Sequence, residues 1–275
     1  MKKIVILTGS ELRHDFVRKF IALDPEIEVV ASFCEGTEKS YGAFVEKQKD
    51  NEMREKHLIA RKQSEKDFFG LFVETAEDRS NPIFLPKGEI NSKVYVDQII
   101  ILRPDILVAY GCSIIKEPLL SAFAGKFLNA HLGISPYYRG SGTNYWPLVN
   151  GEPEFVGVTF MHIDPGIDTG EIIHQIRAKI VWGDTPNSIG NRLIADMARV
   201  YCEIISRVDS LPKMPQPENS SDNKVYRQKD FSEESVRKLY DLFGDNLIET
   251  YLQEERERCG RVPVVSNPAI TNKTK

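Results

Sequence analysis

Apolar positions along this chain follow two rhythms, and their alternation predicts the fold. "KIVILTG" is an unbroken apolar run ending at Gly9, the pattern of a strand buried on both faces. "SELRHDFVRKFIAL" follows, with Leu12, Phe16, Phe20 and Leu23 at helical spacing. "EIEVVASF", "PIFLP", "PDILVAYG" and "FLNAHLG" read as further strands, and "VYVDQIIILR" between them reads as a helix. Strands alternating with helices imply βαβ units, right-handed crossovers and a mostly parallel sheet.

Further on, "FVGVTFMHI" alternates as a strand, and "GEIIHQIRAKIVW" reads as its antiparallel partner across the turn "DPGIDTG". "TPNSIGNRLIADMARVYCEIISRV" is a long helix with Thr185 as its cap and Pro186 at its first position. The charged segment 38–80 reads as one or two helices inserted over the sheet edge. Within it His57, Arg61 and Glu65 share a helix face, either as a surface ion-pair ladder or as a face that meets substrate or a second protomer.

"LPKMPQPENSSDNK" marks a linker at 211–224. The expected organisation is a Rossmann-like α/β domain over 1–210 and a small helical extension over 225–275. Its helices are expected at 232–243 and 245–258, with a frayed end. On this division the chain truncated after Pro217 folds by itself.

Composition narrows the function classes. A net charge of -4 is a poor footprint for a nucleic-acid binder. The apolar run after Met1 is too short for a secretory signal, and no window approaches a membrane span. Four scattered cysteines offer neither a metal spacing nor a disulfide framework. A cytoplasmic protein without metal, membrane or nucleic-acid partner is expected.

The chemistry concentrates in "NAHLGISPYYRG". Asn129 and His131 stand two apart at the end of a strand, so both side chains point the same way. They sit at the carboxyl edge of the sheet, where open α/β folds build their sites. Such a pair can donate to an oxyanion formed in acyl transfer. The turn "HIDPGIDTGEI" adds Asp164 and Asp168, carboxylates able to orient a histidine or take a proton, with His162 as a secondary candidate. Ser135 and Ser141 lack a base at motif spacing, so direct transfer is more natural than an acyl-enzyme. At the first strand-to-helix turn "TGSELR" is not a G-x-G-x-x-G dinucleotide fingerprint. A helix N-terminus there can still hold an anion, with Gly9, Ser10 and Arg13 as candidates.

Taken together, "N-x-H…P-x-Y-R-G" followed by the "D-T-G" turn resembles the 10-formyltetrahydrofolate-dependent formyltransferases, over roughly residues 1–210 and most strongly from 105 to 175. The resemblance implies Asn129, His131 and Asp168 as the catalytic set. It implies a folate cradle at Tyr110, Gly111, Cys112 and Ile114, with Asp164 and Gly166 on a second folate-facing loop. One departure stands out: many relatives read H-x-S-L-L-P where this chain has "HLGISP", which puts Gly133 where a serine is usual.

"YYRGSGTNYWPLVNGE" looks most like the nucleotide-sugar N-formyltransferases and the methionyl-tRNA enzyme. The tRNA enzyme carries a sizeable C-terminal barrel, whereas about fifty mostly helical residues follow the linker here. Glycinamide ribonucleotide formyltransferases lack both the 38–80 insertion and the tail. A nucleotide-linked amino-deoxysugar is therefore the expected acceptor, with Arg13 or Arg139 meeting its phosphates and Tyr145 or Trp146 packing on its rings, Trp146 reading equally as a core residue of a short helix. The enzyme would serve glycan or lipopolysaccharide synthesis, with a second copy of the chain as a candidate partner. A protein that binds folate without turnover is the non-enzyme alternative, and the intact Asn129–His131–Asp168 set argues against it.

Overall fold

The computed structural model describes residues 1–47, 51–217 and 224–270. Its centre is a seven-stranded sheet of β1 (Lys2–Gly9), β2 (Ile27–Glu35), β3 (Pro82–Leu85), β4 (Ile106–Tyr110), β5 (Phe127–Leu132), β7 (Gly157–His162) and β8 (Ile172–Arg177). The spatial order is β3-β2-β1-β4-β5-β7-β8. The first five of these are parallel neighbours, while β5–β7 and β7–β8 pair antiparallel. The expected mostly parallel α/β sheet is thus present, antiparallel at one edge.

The unbroken apolar run of β1 has a direct consequence. Ile4 and Ile6 feed the core on one face, and Val5 and Leu7 the core on the other. Helices α1 (Leu12–Ala22), α3 (Glu52–Thr75) and α7 (Pro186–Arg207) cover the first face. Helices α4 (Lys93–Leu102) and α5 (Leu119–Ala122) cover the second. Thr185 caps α7 as expected, its hydroxyl accepting from Ser188 N at 3.1 Å. The insertion forms the short α2 (Tyr41–Glu46) and the long α3. Residues 48–50 of it lie outside the described residues.

The C-terminal extension pairs with the main domain and packs into its core. Its first strand, β9 (Lys224–Tyr226), pairs with β6 (Tyr138–Gly140), the end of the stretch that carries Asn129 and His131. Helices α8 (Glu233–Gly244) and α9 (Leu247–Arg261) match the two expected tail helices. Leu239, Ile248, Tyr251 and Ile270 belong to the same apolar core as the sheet. Further along, Val265 exchanges hydrogen bonds with Gln175 on β8.

The described part of the expected linker is also ordered by contact. Met214 bridges Ile172 through two backbone hydrogen bonds of 2.7 and 2.8 Å. Residues 218–223 of the linker and 271–275 of the expected frayed end lie outside the described residues. The remaining short helix, α6 (Trp146–Val149), begins with a tryptophan. Trp146 is 5% exposed and stacks on Tyr226 with ring centroids 4.3 Å apart.

Candidate active site

A cleft of about 830 Å³ opens at the carboxyl edge of the sheet. Asn129 and His131 line its floor from β5. Beyond them, Thr159 on β7 braces the turn: its hydroxyl donates to Gly133 O at 2.7 Å and accepts from Ser135 N at 3.0 Å.

His131 is buried, and its two nitrogens face different oxygens. Nε2 lies 3.1 Å from the Tyr138 carbonyl. Nδ1 lies 3.3 Å from Asp168 Oδ1. Gly133 makes room for this arrangement, because a Cβ there would stand 2.8 Å from His131 Nε2 and 2.8 Å from Tyr138 O. The departure from the serine usual in relatives therefore has a packing reason in this chain.

Asp168 is held from three directions. Its backbone is left-handed, at φ 53°. Its Oδ2 accepts from Gly140 N at 2.9 Å, and its carbonyl accepts from Gln216 Nε2 at 2.8 Å. The other aspartate of the loop has a different task. Asp164 closes the turn by accepting from Gly166 N at 3.0 Å and Thr169 Oγ1 at 2.8 Å. Beside these, the Asn129 amide makes no side-chain hydrogen bond among the described residues. One wall of the site thus holds a free amide donor next to a histidine–carboxylate pair.

The loop after β4 forms the next wall, with Tyr110, Gly111, Cys112 and Ile114 all on the cleft. Glu35, wholly buried at the end of β2, clamps this loop. It accepts from Ser113 N at 2.5 Å, Gly88 N at 2.8 Å and Lys87 Nζ at 2.9 Å. Gly9 and Gly111 are there for His14 as much as for any ligand. A Cβ on Gly111, at φ +70°, would lie 2.4 Å from His14 Nε2, and one on Gly9 2.7 Å from the same ring. Burial drives the His14 imidazole well below its ordinary range, reinforced by the Arg13, Lys87 and Arg61 charges. Burial likewise pushes the Cys112 thiol up to about 12, with the Glu35 charge adding to it, so the thiol is no nucleophile near neutrality.

The opposite wall corrects several expectations. Gly9, Ser10 and Arg13 do line the cleft, but Arg13 is not a spare cation. It pairs with Glu11 and, at 2.9 Å, with Glu65. Burial opposes its charge, and the two carboxylates more than offset that, raising its pKa. Glu65 also accepts from Arg61 Nε at 3.0 Å. The His57–Arg61–Glu65 face is therefore no surface ladder; it looks into the cleft. Burial first, and Arg61 second, pull the His57 pKa down to about 4.

Arg139 and Trp146, expected to meet substrate, do not line the cleft. On β6 the strand alternation turns Arg139 away while Gly140 faces the site. Trp146 is committed to its stack on Tyr226, and its Nε1 donates to Ser141 O at 3.1 Å.

Among the residues the sequence reading missed are Glu35, His14, Asn144, and Asn187 and Asn191 on α7. The last two sit four apart, a helical spacing that a search for polar positions on an amphipathic face could have found. Val225, Tyr226, Arg227, Gln228 and Phe231 come to the cleft from the extension, and no local pattern announces them.

A family model described as formyl transferase matches residues 29–205. The chain belongs to the formyl transferase family. Methionyl-tRNA formyltransferase of Desulforamulus reducens is 37% identical over 119 residues, which is 42% of this chain and 37% of that protein. The chain thus matches little more than a third of that relative's length. Among solved structures, phosphoribosylglycinamide formyltransferase of Streptococcus pneumoniae TIGR4 superposes with a TM-score of 0.52 at 22% identity, covering 76% of this chain and 100% of that one. An N-formyltransferase of Helicobacter canadensis, in complex with folinic acid and dTDP-3-aminofucose, superposes with 0.52 at 18% identity, covering 87% of this chain and 79% of that one. These two share the fold. No helix among the described residues is long and apolar enough to cross a membrane.

Proposed function

We propose that this formyl transferase moves the formyl group of 10-formyltetrahydrofolate onto the primary amine of a nucleotide-linked amino-deoxysugar. The observation that carries the chemistry is the unpaired Asn129 amide beside the His131–Asp168 pair on the cleft floor. The amine nitrogen attacks the formyl carbon and a C–N bond forms. Asn129 donates to the developing oxyanion, and His131, with Nε2 on the Tyr138 carbonyl and Nδ1 on Asp168, stands beside it. Asp168 takes the amine proton, directly or through water, and the bond from the formyl carbon to N10 breaks. Asp168 passes that proton, directly or through water, to N10, and tetrahydrofolate leaves.

The folate fits the wall built by residues 110–115. Beyond Tyr110, which ends β4, residues 111–115 are neither helix nor strand, so their amides lie outside the sheet ladder, with Ser113 N held by Glu35. Ile114 and Ile167 are 68% and 51% exposed on cleft-lining loops, apolar surfaces suited to a flat heterocycle.

The acceptor reading rests on charge and on the extension. Most charges in the cleft are matched, as in Arg13–Glu11, Arg61–Glu65 and Lys87–Glu35. Lys39 and Arg227 are exposed on the cleft, and their side chains form no ion pair with a carboxylate among the described residues. Their loops are joined by Gln228 Nε2 donating to Lys39 O at 3.2 Å. Two cations on adjoining loops suit a diphosphate better than the long phosphate track of a tRNA, which calls for a broad basic surface. The test is tetrahydrofolate release from 10-formyltetrahydrofolate with and without an amino-sugar nucleotide. Release that depends on the amine supports the reading; release no faster than the background hydrolysis contradicts it.

A further inference from the structure

Buried polar side-chain atoms without a partner are few in native proteins, and each calls for an explanation. In this chain several fall on residues of the cleft: Tyr110 Oη, His162 Nδ1, and both amide atoms of Asn144. Asn144 is the case in which a donor and an acceptor are orphaned together. Its neighbours are well held. Thr143, before it, is buried and its hydroxyl donates to Leu132 O, the residue after His131. Tyr145, after it, has its hydroxyl 2.8 Å from Ser235 Oγ on α8. The backbone of the loop is therefore fixed on both sides, while the Asn144 side chain has no hydrogen-bond partner among the described residues. Turning the amide into the cleft breaks no hydrogen bond.

We infer that Asn144 is a positioning residue for the acceptor. It uses one acceptor and one donor to grip two adjacent polar groups of a sugar ring. Oδ1 accepts from an N–H of the attacking amine, and Nδ2 donates to a hydroxyl oxygen beside it. The free protein carries the cost of an unsatisfied amide, and the ligand relieves it. This inference rests on the acceptor reading given above. A leucine has nearly the same shape as asparagine and no polar atoms, so the two possible roles of Asn144 predict opposite shifts in stability.

The experiment compares Asn144→Leu with the wild-type chain in three measurements. The melting temperature of the free protein should rise by about 2–4 °C, since an unsatisfied buried amide is replaced by apolar contact. Stabilisation by folinic acid should stay within about twofold in apparent affinity, because that ligand lies on the other wall. KM for dTDP-3-aminofucose, or for whichever amine the wild type formylates, should rise about tenfold or more, the loss expected of one or two hydrogen bonds. A lower melting temperature or failure to fold would overturn the inference, since the amide would then be structural. An unchanged KM for the acceptor would overturn it too. If the wild type formylates glycinamide ribonucleotide or methionyl-tRNA and no amino-sugar nucleotide, the sugar reading fails. The Asn144 comparison is then decided on that amine.

Discussion

Asp168 reaches His131 from a left-handed backbone, its Oδ1 3.3 Å from Nδ1 of the ring. A non-glycine residue at φ 53° carries a conformational cost, and the bonds from Gly140 N and Gln216 hold it there. Asp168→Asn keeps the shape and can keep the bond from Gly140 but removes the charge. We expect turnover to fall about a hundredfold or more, as for a lost proton acceptor. The affinity for folinic acid should change less than about twofold. Near-normal turnover in this variant would remove Asp168 from the reaction.

His57 gives the fold a pH dependence. Its folded pKa of about 4, set by burial and then by Arg61, lies below the ordinary histidine value. Between about pH 6.5 and 4 the unfolded chain takes up a proton that the folded chain does not. The stability from keeping this ring neutral is therefore full above about pH 6.5 and is lost as pH falls towards 4. The loss is at most about 3 kcal/mol. His57→Gln retains a polar partner for Tyr240, whose hydroxyl lies 3.1 Å from His57 Nδ1, and does not titrate. Urea unfolding at pH 7 and at pH 4.5 should show a smaller loss for the variant than for the wild type. Equal losses would mean that His57 does not set this dependence.

The chain cut after Pro217 should not fold to the native state. The cut removes β9 and the buried side chains of Leu239, Ile248, Tyr251 and Ile270 from the main core. It also uncovers Trp146, which stacks on Tyr226. Burial of this kind contributes roughly 1.5–3 kcal/mol per large apolar side chain, so the four together amount to about 6–12 kcal/mol, as large as the whole usual margin of a domain. A cooperative melting transition for residues 1–217 would show that the extension is dispensable.

The sheet was legible because buried parallel strands leave unbroken apolar runs, as in β1 and β4, and because Thr185-Pro186 announces a helix start. The pairing of Asn129 with His131 was legible from strand periodicity alone. What the sequence hid depends on long-range contact. Glu35 looks like the end of a strand, and only the fold brings Ser113 and Gly88 to its carboxylate. Arg13 looked like a free cation until Glu65, fifty-two residues away, closed on it. Trp146 read equally as a ligand platform or a core residue, because its stacking partner, Tyr226, lies eighty positions downstream beyond a proline-rich stretch. The insertion face at His57, Arg61 and Glu65 was visible as a helical stripe, but its direction was set by α1 and α8 packing against α3.

The most direct test of the whole account is a competition assay. Equal concentrations of an amino-sugar nucleotide, glycinamide ribonucleotide and methionyl-tRNA are offered with 10-formyltetrahydrofolate, and the formylated products are identified by mass. The account predicts that the sugar nucleotide takes nearly all of the formyl group. It also predicts that removing the nucleotide from that sugar cuts kcat/KM severely, since remote binding energy positions the amine. Preferential formylation of glycinamide ribonucleotide or methionyl-tRNA would contradict the assigned acceptor.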